Sequence, residues 1–411
     1  MLLRQMLGYF RGVLDLPKLF QSVSDRRKPQ LIEIPGRILN WTLVFKAIMR
    51  VKDHLKMAKV YLESERGIRI LWGSECKRDR VASHDKLGDY LGEVDVWSLT
   101  KVLIAINKKL KRLGHLFFDG MVVVGFDLTH KIVPSGKGYR GVLARRVPGL
   151  DKEGKPKKQT VESYGICRAQ VAGSKVPAWL GFFIATKSEN EGALELLDRL
   201  IRYYGKRFID VIVADALYCW AEFINTASEA GIAVVVRAKE SLNLYKGEIR
   251  LLKQQPQQEV ILKDGDLPAK IRELTDLTSW PEVTKPLRLL EIEPVVGETL
   301  HYLSTCAGST ESVARIARRH WEHENNGHHN MKTHWWFTHM PVRNLQGLRA
   351  WWTIFAIAQS CFYAFLWACV WRLGKPRDEN ALLVVERLKL ETCETPLEDL
   401  QPLWSDSSGW G

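Results

Sequence analysis

Hydrophobic and polar positions change their period along this chain, and the changes divide it. From Met1 to Phe118 apolar residues recur at spacings of three and four, as in LNWTLVFKAIM and VWSLTKVLIAINKKLKRL, which predicts an all-α N-terminal region. SERG (64–67) and ASHDKLGDYL (82–91) read as breaks between helices, the second with Ser83 or Asp85 as N-cap. At residue 121 the pattern turns to β. MVVVGF is a β-branched run that ends on Asp127, and SYGICRAQVA (163–172) and PAWLGFFIAT (177–186) are two further strand candidates. A helix fits ENEGALELLDRLIRYYG, with Ser188 as cap and Gly205 as stop. FIDVIVAD then ends on Asp215, a helix from Ala216 to Glu229 closes at Gly231, and IAVVVRA is another strand. This order predicts a five-stranded mixed α/β sheet with helices on both faces. Two aspartates would then stand at carboxyl ends of strands, where open α/β sheets bind ligands.

Three other stretches complete the organisation. Residues 131–160, rich in Gly and Pro, hold nine Lys or Arg against Asp151 and Glu153 and read as a long basic loop; its Lys137, Arg140, Arg145 and Arg146 are candidates for binding phosphates. Between Lys239 and Thr305 the alternation is again β-like, with KDGD at 263–266 as a hairpin signal, so a β-rich insertion precedes a helix running from Val313. Ala350 to Trp371 carries no charge and is long enough to span a membrane. Thr353, Gln359 and Ser360 dilute its hydrophobicity, and the expectation is a buried helix covering the sheet. From Asp378 the tail is acidic and polar. The boundaries read from these changes are a helical basic region over 1–118, a core in two parts over 119–239 and 307–375, the insertion over 240–306, and the tail over 376–411.

Charge narrows the partner. The net charge is +13, and residues 1–118 hold 23 Lys or Arg against 12 Asp or Glu, so most of the excess lies in the helical region. A polyanion is implied, nucleic acid before an anionic membrane surface. Seven cysteines make no CxxC pair and no regular spacing, which excludes a zinc ribbon and a disulfide framework and points to a reducing cytosol. Arg4 and Arg11 interrupt the apolar N-terminus, which makes a poor signal peptide.

Candidate chemistry gathers in ARRHWEHENNGHHNMKTHWWFTH, residues 317–339, which holds six of the eleven histidines. On a helix, His320, Trp321, Glu324, His328, Met331 and Lys332 share one stripe, a carboxylate flanked by imidazoles and a cation. Asp127, Asp215 and Glu324 together make three carboxylates at two strand ends and on one helix. Such a set suits a pair of Mg²⁺ or Mn²⁺ ions, which take oxygen ligands and can serve an in-line displacement at phosphorus. Other readings stand beside it: strand-end aspartates often cap helices, His320, His323, His328 and His329 have spacings that a zinc ion accepts, and Trp335 and Trp336 can stack on bases or fill a core.

These residues resemble the DDE transposases of bacterial insertion sequences, whose catalytic core has the ribonuclease-H-like fold. GFDLTH around Asp127 is similar to the first-aspartate strand, VIVADALY around Asp215 to the second, and RRHWEHENNGHHNMK to the signature on the helix with the glutamate. The resemblance covers residues 119–372 and includes the β insertion of the cut-and-paste branch. Departures are Ala317 at the usual tyrosine, His320 at the usual arginine with Arg318 and Arg319 beside it, and Lys332 one residue late; they count against the hairpin-forming route. The resemblance implies Asp127, Asp215 and Glu324 as metal ligands. Lys332, His320, Arg318 and Arg319 join the basic-loop residues as DNA contacts. It also implies cleavage at terminal inverted repeats, joining to target DNA, a homodimer on DNA and no membrane. A metal-dependent nuclease that never joins strands, and a non-catalytic DNA-binding protein, are the rival readings.

Overall fold

The computed structural model describes all residues except Met1, 59–81, 134–141, 151–155, 186–187, 240–242, 263–266, 278, 323–334, 336–341, 372–380 and 395–411. The chain divides into two compact units. One comprises Met1–His115, Gly136–Gly141 and Asn330–Gly411; the other comprises Leu116–Ser135 and Val142–His329.

The first unit is helical. Its N-terminal helices are α1 (Leu2–Gly8), α2 (Leu16–Gln21), α3 (Gly36–Ile48), α4 (His54–Met57), α5 (His84–Glu93) and α6 (Val96–Arg112). Local chemistry starts them where the sequence places caps: Ser83 Oγ accepts from Lys86 N at 3.3 Å for α5, and Asp95 from Ser98 N at 2.9 Å for α6. On α6, Leu99, Val102, Leu103, Ile106 and Leu110 form the buried stripe, while Lys109, Lys111 and Arg112 crowd the last turn, where cations complement the helix dipole.

The uncharged stretch belongs to this unit. It forms a helix over Leu345–Phe365, capped by Asn344, and every residue from Ala350 to Phe365 is buried. It packs against α3, α5 and α6. The expectation that it covers the catalytic sheet is therefore corrected: a helix apolar on all sides needs neighbours all round, and the N-terminal helices supply them. Long enough to cross a membrane, it has 83% of its most apolar window inside the protein. Trp335, a candidate for base stacking, is 2% exposed and packs edge-on to Phe355 and Phe362, both at 5.7 Å between ring centroids. A last helix, Ala381–Glu394, returns to α1, where Glu391 accepts from the Leu2 and Leu3 amides at 3.1 and 2.7 Å.

The second unit is built on one mixed sheet. Its first strands are β1 (Val123–Val133), β2 (Leu143–Leu150), β3 (Pro156–Val171), β4 (Trp179–Ala185), β5 (Val211–Ala214) and β6 (Ala233–Arg237). β4, β3, β1, β5 and β6 lie side by side, with β3 antiparallel to both β4 and β1, and with β1, β5 and β6 parallel. This is the ribonuclease-H-like arrangement the sequence implied. α7 (Glu189–Tyr204) begins at Ser188, whose Oγ accepts from Glu191 N, and stops at Gly205, where φ is +83°. Gly192 lets α7 lie against the sheet, since a Cβ there would stand 2.8 Å from Ala185 Cβ and 2.9 Å from Cys167 Sγ. The helix expected over 216–229 is split into a 3-10 turn, Ala216–Tyr218, and α8, Ala221–Glu229.

Two features depart from the sequence reading. The supposed basic loop is mostly strand: β1 runs on to Val133, and β2 pairs with the first half of β3 from Leu143↔Ser163 to Leu150↔Pro156. Backbone ladder bonds between segments apart in sequence override the Gly, Pro and Lys composition. The insertion opens with an unpredicted helix, α9 (Asn243–Leu252), followed by β7 (Gln258–Val260), β8 (Ala269–Leu277), β9 (Leu287–Glu293) and β10 (Leu300–Ser304). β10 joins β6 antiparallel, so the insertion extends the core sheet in the order β6-β10-β9-β8-β7. α10 (Thr310–Glu322) follows and lies on the sheet: Val313, Ala314, Ile316 and Ala317 are fully buried with Val123, Val211, Val213 and Val235.

Candidate active site

The site follows from register and parity. β1 and β5 pair from Val123↔Val211 to Phe126↔Ala214, and β5 and β6 from Val211↔Ala233 to Ala214↔Val236. One step further, Asp127, Asp215 and Arg237 come abreast, with neighbouring strands about 4.8 Å apart. Arg168 of β3 completes the row as the cross-strand partner of Asp127. Because side chains alternate in a strand, Asp127 shares the face of Val123, on which α10 packs. Phe126 faces the other way, into Phe223 of α8 at 5.5 Å. The sequence expected strand ends at both aspartates. That holds for Asp215, whereas β1 continues six residues past Asp127, and it is the parallel neighbour that ends there.

Each carboxylate is held differently. Asp127 Oδ2 accepts from Arg168 Nη2 at 3.2 Å; the Arg168 side chain is 1% exposed and that of Asp127 17%. Arg168 also lies over the Trp179 ring at 5.5 Å. Burial pulls the Arg168 pKa down, and the neighbouring Asp127 opposes this by favouring the cation. Asp215 caps the 3-10 turn, its Oδ1 accepting from Leu217 N at 2.8 Å. The helix-capping reading is thus realised at Asp215.

From α10 the half-buried His320 reaches the same place. Burial lowers its pKa, Asp127 raises it and Arg237 lowers it again, so the net shift favours the neutral imidazole. Arg319, expected on DNA, is instead 7% exposed; its guanidinium donates to the Leu262 carbonyl at 3.1 Å and lies 4.4 Å over the Phe118 ring. Arg318 is half-buried on the same helix, and Arg145 and Arg146 lie on β2. Glu324, Lys332, His323, His328, His329, Lys137 and Arg140 fall outside the described residues, as does the KDGD turn, although β7 and β8 on either side of it do pair antiparallel. Among the described residues no three His, Cys, Asp or Glu side chains form a metal cluster. Arg168 and Arg237 were missed by the sequence reading. A lone arginine inside the apolar run SYGICRAQVA was the available signal, since a cation in a buried strand requires a carboxylate opposite.

The family model for the transposase DDE domain matches residues 144–361, more than half of the chain. The chain belongs to this family. Asp215 and the segment with Glu324 and Lys332 lie inside the match, whereas Asp127 precedes it and is brought to Asp215 by the sheet register. The family's enzymes cleave and transfer DNA, and transposition is the activity at this level. No curated protein matches the chain. A solved structure of a piggyBac transposase synaptic complex with hairpin DNA aligns over 98% of this chain and 84% of that chain, at 11% identity and a TM-score of 0.44. The assignment rests on the family match.

Proposed function

We propose that this transposase cuts the ends of a mobile DNA element and joins them to target DNA, using two Mg²⁺ or Mn²⁺ ions held by Asp127, Asp215 and Glu324. The observation that carries the reading is the side-by-side placement of Asp127 and Asp215 on the face covered by α10, whose last described residue, Glu322, lies two positions before Glu324. The donors fit the ions: both are hard carboxylate oxygens, with Asp127 Oδ2 held by Arg168 and Asp215 Oδ1 by the Leu217 amide. When bound, the ions supply activation of the attacking oxygen and stabilisation of the leaving one.

The chain's own residues do the rest. Arg168 fixes the Asp127 Oδ2, and the Leu217 amide fixes the Asp215 Oδ1. His320, beside Asp127, adds an imidazole to the site. Lys332, Arg318, Arg145 and Arg146 are candidates to hold phosphates, with the basic helical region adding affinity for element ends. The protein would act in the cytosol, as a homodimer on DNA and without a membrane.

The test is a purified-protein assay on element-end DNA with Mg²⁺ or Mn²⁺, read for both cleavage and joined product. Wild type should give both, and Asp215→Asn neither, with DNA binding retained. Metal-dependent cutting by Asp215→Asn at the wild-type rate would refute the assignment. Cleavage without any joined product would favour a plain nuclease.

A further inference from the structure

α10 is held at both ends by the β-rich insertion, and the contacts are more elaborate than packing requires. At its start, the chain leaves β10 and turns through residues 305–309. Thr305 Oγ1 accepts from Val234 N at 2.9 Å, and Cys306 N donates to Ser304 Oγ at 2.9 Å. The Cys306 and Gly308 carbonyls both accept from Arg288 Nη1 of β9, the first at 2.8 Å. The same guanidinium donates through Nε to Glu273 Oε1 of β8 at 2.6 Å, and Glu273 Oε2 accepts from Thr310 Oγ1, the first residue of α10, at 2.5 Å. Arg288 and Glu273 side chains are 16% and 14% exposed.

The β8–β9 register slips close by, between Leu274 and Leu277, with Asp276 at φ +57°. A bulge there re-aims the side chains beside it. At the far end of α10, Arg319 donates to Leu262 O. Phe118 Cγ and Arg319 Cδ close over Gly173, where a Cβ would stand 2.9 Å from each, and φ is +73°. Between these two anchors α10 meets the sheet through Val313, Ala314, Ile316 and Ala317, which include two alanines and offer little shape to fix its rotation.

We propose that the insertion is the positioning device of the active site. The Glu273–Arg288 pair fixes where α10 begins, and Arg319 on the Leu262 carbonyl fixes how it is turned. Together they set where His320 stands against Asp127 and Asp215. This rests on the reading of α10 as the helix leading to the third acid. Glu273 and Arg288 are positioning residues, acting on the start of α10. Arginine suits the role because its planar fork offers five donors in fixed directions, enough for a carboxylate and two carbonyls at once, which a lysine ammonium cannot reproduce.

The experiment uses the full chain with Arg288→Met, Arg288→Lys and Glu273→Gln. Amide hydrogen exchange is read first, on protein free of metal and DNA. In Arg288→Met, exchange over 310–322 should quicken roughly tenfold or more while β1 and β5 keep wild-type protection. Cleavage of element-end DNA should then lose kcat by about tenfold or more, with KM for DNA within about twofold. Arg288→Lys keeps the ion pair with Glu273 and should recover part of both. Unchanged exchange over 310–322 would overturn the proposal, and so would an equal loss over β1 and β5, which would mean general destabilisation. A protein that cuts no DNA but shows the selective exchange would sink the proposed reaction and leave the positioning intact.

Discussion

Asp127 and Asp215 look alike in sequence, each closing a β-branched run, yet their removal should affect the fold very differently. Asp127→Ala takes away the carboxylate bonded to a guanidinium that is 1% exposed. Removing one partner of a buried ion pair costs about 3–5 kcal/mol. The 17% exposure of Asp127 lets water relax part of this, so the lower end, about 3 kcal/mol, is expected. Asp215→Ala removes an N-cap bond to Leu217, which costs about 1 kcal/mol. In a unit of this size about 2–4 °C of Tm corresponds to each kcal/mol, so Asp127→Ala should melt about 6–12 °C lower and Asp215→Ala no more than about 4 °C lower. Calorimetry in EDTA, to remove metal, measures both. Arg168→Met in the Asp127→Ala background should recover most of the loss, because it removes the buried charge that the Asp127 carboxylate had balanced. Equal melting of the two single variants, or no recovery in the double, would refute the reasoning. Asp215 is accordingly the better position for testing chemistry without disturbing the fold.

Two further expectations concern the helical unit. Lys46 is fully buried, 4.2 Å over the Trp351 ring, and burial outweighs the opposing effect of Asp53 to bring its pKa from 10.5 down to about 7. The folded unit therefore binds fewer protons than the unfolded chain between pH 7 and 10.5, and stability from this group rises with pH across that window. Lys46→Met should raise Tm most near pH 6, with the gain shrinking toward pH 10; a pH-independent gain would contradict the assignment. Ala358→Asp places a charge at a position with no exposure in the Leu345–Phe365 helix and should cost about 3–5 kcal/mol, read as loss of cooperative melting, while wild type is recovered without detergent. A fragment ending at His115 lacks that helix, exposes the faces of α3, α5 and α6 it covers, and is expected to aggregate; a well-folded monomer would contradict this.

What the sequence by itself determined is local. Caps such as Ser188 and Ser83 bond within three residues, and β-branched runs favour strands wherever they lie, so these helix starts and the strands β4, β5 and β6 were legible. The order of elements led to the mixed sheet, and the two aspartates stood out because a carboxylate closing an apolar run is conspicuous. Other features depended on which distant segments meet. Lys, Gly and Pro in residues 131–160 suggested a loop because composition does not reveal a pairing partner, and β2 is strand only through its ladder with β3. The Leu345–Phe365 helix is apolar all round, so its sequence named no face, and its place beside α3, α5 and α6 came from the fit of tertiary surfaces. Arg168 acquired its meaning once β3 was laid antiparallel on β1 in a register that set it opposite Asp127. The same register, continued across β5 and β6, put two aspartates distant in sequence on neighbouring strands, because the spacing of hydrogen-bonded strands is fixed by the backbone and not by the side chains it brings together.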